Sequence, residues 1–385
     1  MSPIRVVHVI ARLNIGGPAR ILDELATHID PADVETVVVA GSSPPDEAEF
    51  PGFGANLEVV RIRALGPNPR PGADVAALAE LVRTLRRLQP DVVHTHTAKA
   101  GVLGRIAAAA ARVPRRVHTF HGHLLAGYFR PTVVAAIVQA EKLLAWRTDR
   151  LVAVGTKVRD DLLAAGIGRQ DQWVVHRPGL SAPPAGSRAE ARRLLGVPDD
   201  AEVVVYVGRL ARVKRADRLA AAFEKLAAAQ PSAVLIVVGD GADGAELRRR
   251  LESLGARVRH LGWRDDPGAV YIAADVVVLT SDNEGMPLSL IEAAWASRPV
   301  VATGVGGVPE VVEHDKTGVI VDPDPAAIAD ALARLLAEPE TCARMGAAAR
   351  RVAEARFSAA GMARETTDLY SELMAQAAAR RGAGS

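Results

Sequence analysis

The sequence is defined first by what it lacks. Among 385 residues there is one cysteine, Cys342, so no internal disulfide can form. A reducing, cytoplasmic setting is the expectation, with the lone thiol of this alanine-rich segment read as a small buried hydrophobe. There is no dominant charge: 47 Lys and Arg against 45 Asp and Glu leave a net +2. That balance gives no global reason to expect a nucleic acid or an acidic partner, so any anion site must be local. No stretch approaches the ~18 uncharged apolar residues of a membrane span; the best, residues 132–140, is soon followed by Glu141 and Lys142. The N-terminal apolar run between Arg5 and Arg12 is too short for the core of a signal peptide. The 33 glycines show no three-residue period, which excludes collagen, and 49% hydrophobic residues exclude disorder.

What is present is a globular chain long enough for two to three domains at ~150 residues each. Short β-branched runs alternate with longer patterns rich in Ala, Leu and Arg, the signature of strand-helix-strand units around parallel sheets. Strands are expected at 4–10, 34–40, 57–62, 91–96, 116–120, 150–154 and 173–176, then at 202–207, 233–238, 258–261, 275–279, 299–302 and 318–321. Most are apolar continuously rather than alternately, so both faces of each sheet should be covered by helices. The reading is α/β, with two doubly wound domains: residues 1–178, a Pro/Gly/Ser linker at 179–187, and residues 188–359. From Pro325 to about Ala379 the pattern is helical, with Pro339 restarting one helix. Ligands of such sheets bind beyond the carboxyl ends of the strands, and two facing sheets would form one deep interdomain cleft.

Motifs do fall just after strands. Residues 14–19 (NIGGPA) place Gly16 and Gly17 before a helix, where backbone N–H groups and the helix dipole can meet an anion. Gly208 then opens a run carrying Arg209, Arg212, Lys214 and Arg215, cations able to neutralise a diphosphate. Gly239, Gly241 and Gly244, with Asp265 and Asp266 further on, formally match a dinucleotide fingerprint. Yet Asp240 and Asp243 bring negative charge into that loop, and its strand is the second of its domain. The stretch 283–292 (NEGMPLSLIE) puts Pro287 where a helix starts, so the N–H groups near Leu288 and Ser289 form a phosphate site. Glu284 and Glu292 so close to a phosphate are unfavourable unless they bind hydroxyls, which points to a ribose or sugar. A second glycine turn spans 303–310. His94 and His96 share one strand face, and His121 and His123 follow the next strand. No acid or thiolate in those segments completes a metal-ligand set, so no metal site is expected. Each feature also has a plain structural reading, as a tight turn or a solvated loop charge.

With these residues in view, the chain resembles glycosyltransferase family 4, retaining nucleotide-sugar glycosyltransferases of the GT-B type. The most specific pieces are the Glu-x7-Glu pattern at Glu284 and Glu292, the run VGRL…K at 207–214, GDG at 239–241, VGGVPE at 305–310 and HDKTG at 314–318. The resemblance implies that Arg209 and Lys214 hold the donor diphosphate, that Glu292 binds ribose hydroxyls and that Glu284 contacts the transferred sugar. It implies that Gly285, Met286, Pro287, Leu288 and Ser289 position phosphate and sugar, although Met286 stands where the family often has an aromatic. Gly239 to Gly241, with Gly262 and Trp263, would flank the base. His121 would contact the sugar near the reacting centre, and Gly16 and Gly17 would face the phosphates and acceptor. The last helix, from about residue 360 to 385, would return to the first domain.

The implied reaction is metal-independent transfer with retention from a nucleotide sugar, UDP being the nucleotide the family favours, to an unidentified acceptor hydroxyl. No cofactor is implied, the nucleotide sugar being a substrate. An epimerase or phosphorylase on a related fold, a nicotinamide enzyme and a non-catalytic sugar-nucleotide binder are the competing readings. Arg83, Arg86, Arg87, Arg105, Arg112, Arg115 and Arg116 form two basic segments that either solvate helix faces or bring the first domain to an anionic membrane.

Overall fold

The computed structural model describes residues 2–44, 47–54, 57–122, 130–184, 186–264 and 267–382. Its strands are β1 Ile4–Ile10, β2 Val34–Ala40, β3 Glu58–Arg61, β4 Val92–His96, β5 Arg115–Phe120, β6 Arg150–Ala153, β7 Trp173–Val175, β8 Glu202–Val207, β9 Ala233–Val238, β10 Val258–Gly262, β11 Val276–Leu279, β12 Val300–Thr303 and β13 Gly318–Val321. The α-helices are α1 Gly17–His28, α2 Pro71–Leu88, α3 Ala98–Ala110, α4 Pro131–Ala145, α5 Thr156–Ala164, α6 Arg188–Leu194, α7 Ala216–Ala229, α8 Gly244–Leu251, α9 Gly268–Ala273, α10 Leu288–Trp295, α11 Val308–Val311, α12 Pro325–Leu336, α13 Pro339–Arg356 and α14 Ala359–Gly382.

Seven strands form one parallel sheet in the order β3-β2-β1-β4-β5-β6-β7, and six form another in the order β10-β9-β8-β11-β12-β13. Each order reverses once, between β1 and β4 and between β8 and β11, and a crevice opens beyond the carboxyl ends at such a switch. The loops after β8 and β11 carry Arg209, Lys214 and Glu284; the loop after β1 carries Gly16 and Gly17.

The chain divides into two compact units, Met1–Gly179 with Ala359–Ser385, and Leu180–Ser358. The first unit is completed by α14. Its Met362, Ala363, Leu369, Tyr370 and Leu373 pack on Val6, Val92, Val117 and Val152, one face of the sheet. The opposite face, with Val7, Val9 and Val93, is covered by α2 and α3. In the second unit, Val204, Tyr206, Leu235, Val237 and Val278 pack with α7 and α12.

Two local expectations change. The helical stretch from Pro325 breaks twice, at Pro339 and again between Arg356 and Ala359. The second break has no proline or glycine to announce it; Phe357 is buried and leaves the helical region at φ −132° and ψ 30°. The basic segments also split. Arg105 is buried and donates to Glu141 at 2.6 Å and to the Gly101 carbonyl at 2.8 Å. Arg115 is buried too, bonded to Asp149 at 2.8 Å and to the Leu373 carbonyl at 3.1 Å. Neither can face a membrane. Arg83, Arg86, Arg87 and Arg112 are exposed, but they lie just before β4 and β5, at the amino ends of those strands.

Candidate functional site

In the second unit the loops after β8, β9, β10, β11 and β12 are locked together by glycines. Gly239 has φ +114° and Gly241 φ +151°, and a Cβ on either would collide with the carbonyl oxygen of Gly208 or Leu210. Backbone bonds from Leu210 to Asp240 (2.9 Å) and from Gly239 to Gly262 (2.7 Å) join these turns. Gly262, at φ +64°, and half-buried Trp263 thus lie beside 239–241, as the sequence grouped them. The dinucleotide reading loses its basis in the same geometry. The Gly241 N–H is taken by the Asp240 carboxylate at 2.8 Å, and a Cβ on Gly244 would meet that carboxylate too. Asp265 and Asp266 lie outside the described residues.

The turn after β12 plays the same part for Glu284. A Cβ on Gly306 would strike the Glu284 carbonyl and one on Gly307 that of Gly285, while the Gly307 N–H donates to Glu284 at 3.1 Å. Held in this way, the buried Glu284 carboxylate accepts the Ser281 hydroxyl at 2.5 Å and the Lys214 ammonium at 2.6 and 2.8 Å. Lys214 ends a short 3-10 turn, Arg212–Lys214, whose carbonyl accepts the Thr280 hydroxyl at 2.9 Å. Below it, buried Arg218 bonds the Thr280 carbonyl (2.6 Å) and Asp282 (2.8 Å), fixing the loop after β11 to the start of α7. Arg215 is engaged with Asp217 and Asp282, whereas Arg209 and Arg212 are exposed.

Pro287 stands one residue before α10, with extended ψ of 104°, rather than at its first position. The first bond across the turn runs from the Leu290 N–H to the Pro287 carbonyl at 3.1 Å, leaving the N–H groups of Leu288 and Ser289 ahead of it, where anions bind. Met286 is buried beside this turn. Glu292, one turn inside, accepts the hydroxyl of Tyr271 at 2.7 Å. Burial, and then the Glu292 charge, push the Tyr271 phenol well up, so it stays a donor.

In the first unit Gly16 caps α1 with extended backbone, and Pro18 occupies the first turn beside Gly17. His121 follows β5; His123 lies outside the described residues. Behind His121 is a cluster the sequence reading counted short. It paired His94 with His96 only, but β1 and β4 place His8 directly opposite His94. One ring nitrogen from each of His8, His94 and His96 lies within 4.8 Å of the other two, a grouping able to hold a metal ion. These nitrogens already have protein partners. His8 Nδ1 meets His96 Nε2 at 2.9 Å, His96 Nδ1 meets His121 Nε2 at 3.1 Å, and His94 contacts Tyr370 and Thr119 at 2.6 Å each. Burial pushes His8 down to about 3 and His121 down to about 4, and His94 and His96 well below the usual range.

Ser281, Arg218, Tyr271, His8 and Tyr370 were not singled out from sequence. His8 had a signal, a lone imidazole in a continuously apolar strand, since a buried polar ring requires a partner. The others are fixed by partners distant in sequence.

Comparison with known proteins agrees with this arrangement. Residues 15–178 match the model described as Glycosyltransferase Family 4, and residues 187–352 that of Glycosyl transferases group 1. A D-inositol 3-phosphate glycosyltransferase of Xylanimonas cellulosilytica is 35% identical over 91% of this chain and 89% of its own. The Escherichia coli UDP-Gal:alpha-D-GlcNAc-diphosphoundecaprenol alpha-1,3-galactosyltransferase is 30% identical over 65% of this chain and 67% of its own. In fold, the structure of Anabaena HepE in complex with UDP and glucose superposes with a TM-score of 0.81, at 23% identity, covering 96% of this chain and 99% of that one. Two doubly wound parallel sheets, the glycine-locked loops around Glu284 and these similarities lead to one assignment: the chain belongs to glycosyltransferase family 4 and has the GT-B fold.

Proposed function

We propose that this glycosyltransferase moves a hexose from a UDP-sugar to an acceptor hydroxyl with retention of anomeric configuration and without a divalent ion. The observation that carries this reading is the pairing of Lys214 with Glu284 on loops beside the start of α10. A cation and free helix N–H groups suit a leaving diphosphate, and an adjacent buried carboxylate suits sugar hydroxyls. Arg209 and Lys214 hold the diphosphate; Gly208 and residues Gly285 to Ser289 give backbone contacts. Glu284 binds the transferred sugar and Glu292 the ribose diol. Gly239, Gly241, Gly262 and Trp263 border the base, while Gly16, Gly17 and His121 serve phosphate, acceptor and sugar.

In this mechanism the acceptor hydroxyl attacks on the face from which the diphosphate departs. The sugar is oxocarbenium-like between the two, and the departing phosphate oxygen takes the acceptor's proton. The two relatives act on a D-inositol phosphate and on a diphosphoundecaprenol-linked sugar by name. A phosphate-bearing acceptor is therefore the class to try first. The test is a panel of nucleotide sugars assayed for slow hydrolysis, which needs no acceptor, followed by anomer analysis of the product. Slow release of the sugar to water, and its transfer to an added alcohol with the donor configuration kept, support the reading; epimerised donor or phosphorolysis overturns it.

We also propose peripheral contact with an anionic membrane through Arg83, Arg86, Arg87 and Arg112, the basic residues that remain exposed. No helix among the described residues is long and apolar enough to cross a membrane.

A further inference from the structure

Four histidines and one tyrosine of the first unit form a connected row. His8 in β1 lies opposite His94 in β4; His96 is two residues further and lies opposite Thr119 of β5; His121 is two beyond that. Alternation keeps all of them on the sheet face covered by α14, so the row climbs from the buried middle of the sheet to its carboxyl edge. Tyr370 of α14 closes its lower end, 2.6 Å from His94 Nδ1 and 3.5 Å from His8 Nε2. At the upper end His121 Nδ1 is buried without a hydrogen-bond partner among the described residues.

Burial holds these rings neutral at ordinary pH. A neutral imidazole donates at one nitrogen and accepts at the other, so fixing one ring fixes the whole row. The Tyr370 phenol remains protonated, and the row takes its sense from that proton lying along the shorter of its two contacts, 2.6 Å to His94 Nδ1 against 3.5 Å to His8 Nε2. His94 then carries its proton on Nε2 and donates to Thr119 Oγ1 at 2.6 Å. The phenol oxygen is left to accept from His8 Nε2–H. His8 Nδ1 in turn accepts from His96 Nε2–H at 2.9 Å, and His96 Nδ1 from His121 Nε2–H at 3.1 Å. The last nitrogen, His121 Nδ1, is left with a lone pair.

We propose that Tyr370, His8 and His96 are positioning residues that hold His121 in its Nε2–H tautomer, presenting Nδ1 as an acceptor for a hydroxyl of the transferred sugar. This rests on the reading of His121 as a sugar contact. A bare nitrogen attracts an O–H and repels phosphate oxygen, so the row keeps His121 selective for sugar over diphosphate.

The test uses full-length protein labelled with 15N at histidine. Long-range proton-nitrogen spectra of the ligand-free protein report each tautomer, and the His121 signals are assigned by their loss in His121→Asn. The expected result is a protonated Nε2 and an unprotonated Nδ1 in the wild type. In Tyr370→Phe the two tautomers should mix, and donor hydrolysis should slow by about threefold to tenfold, the loss of one hydrogen bond. A proton on His121 Nδ1 in the wild type overturns the proposal, as does a His121 spectrum unchanged in a folded Tyr370→Phe. If that variant does not fold, the wild-type spectrum decides alone. Failure of the sugar reading looks different: no nucleotide sugar is hydrolysed, and the His121 signals ignore added donor.

Discussion

The Lys214 ammonium and the Glu284 carboxylate, 70 positions apart in sequence, meet through two contacts of 2.6 and 2.8 Å. The Glu284 side chain is only 6% exposed, so the pair ties stability to the site. Lys214→Ala should therefore do two things. It leaves a buried carboxylate supported by Ser281 alone, costing about 1–3 kcal/mol in urea unfolding. It also removes a cation from the leaving group, cutting turnover tens- to hundreds-fold, or about 2–4 kcal/mol in the transition state. Arg209→Ala, at an exposed residue, should lose similar turnover. Near-normal turnover and donor affinity in both variants would remove these cations from the mechanism.

Tyr271 gives a quieter prediction. Its hydroxyl orients Glu292, so Tyr271→Phe should weaken donor binding by about 0.5–1.5 kcal/mol with little change in turnover at saturation. Glu292→Gln should weaken it by ~1.5–3 kcal/mol. Comparison of UDP-sugar with its 2′-deoxy analogue checks the cause: if the wild type and Glu292→Gln discriminate equally, Glu292 has another role.

The buried histidines make the first unit acid-labile. Folding lowers His8 to about 3 and His121 to about 4 from 6.5, so the unfolded chain binds protons first as pH falls. This stability is complete above the unfolded value and is lost as pH drops toward the folded one. At pH 5 each such ring costs about 2 kcal/mol. Thermal midpoints should fall steeply between about pH 6.5 and 4. A profile flat over that range contradicts neutral burial of the row.

Activity should persist in EDTA. In the proposed mechanism Arg209, Lys214 and helix N–H groups meet the diphosphate, and the nitrogens of the histidine cluster already bond one another, Tyr370 and Thr119. Stoichiometric zinc in purified protein, with activity lost on chelation and restored by metal, would assign His8, His94 and His96 to a metal centre instead.

Vesicle sedimentation tests the membrane reading. Binding to anionic but not neutral vesicles should weaken with salt, and Arg83→Gln with Arg87→Gln should weaken it further, each charge giving up to ~1 kcal/mol. Equal, salt-insensitive partition to both vesicle types would leave these arginines as solvating groups.

Much of the fold could be read locally, because its signals are local. Apolar runs such as 203–207 and 233–238 mark strands covered on both faces, and Gly239, Gly241, Gly306 and Gly307 mark where one loop crosses another. Glu284 could be found because its glycine neighbours and Pro287 surround it in one short segment. What could not be read depends on partners distant in the chain. Tyr370 reaches His94 across 276 positions, and Arg105 passes for a surface charge until Glu141, 36 positions on, is packed against it. The break at Phe357 is similar: its carbonyl receives the Leu180 N–H and the Trp295 indole, neither of them nearby in sequence.

The return of α14 also bears on how the molecule is made. The face formed by Val6, Val92, Val117 and Val152 has its cover encoded in the last residues of the chain, after the whole of Leu180–Ser358. At about 5–20 residues per second, translation of the residues from Leu180 onward leaves that face uncovered for about 10 to 40 s, and the second unit is complete before the cover is made. The ribosome thus finishes the second unit before the first. A chain released at Ser358 should show this in limited proteolysis, with the second unit protected and the first cut. Nascent chains of this protein are then most exposed to chaperones and aggregation through their earliest-made half.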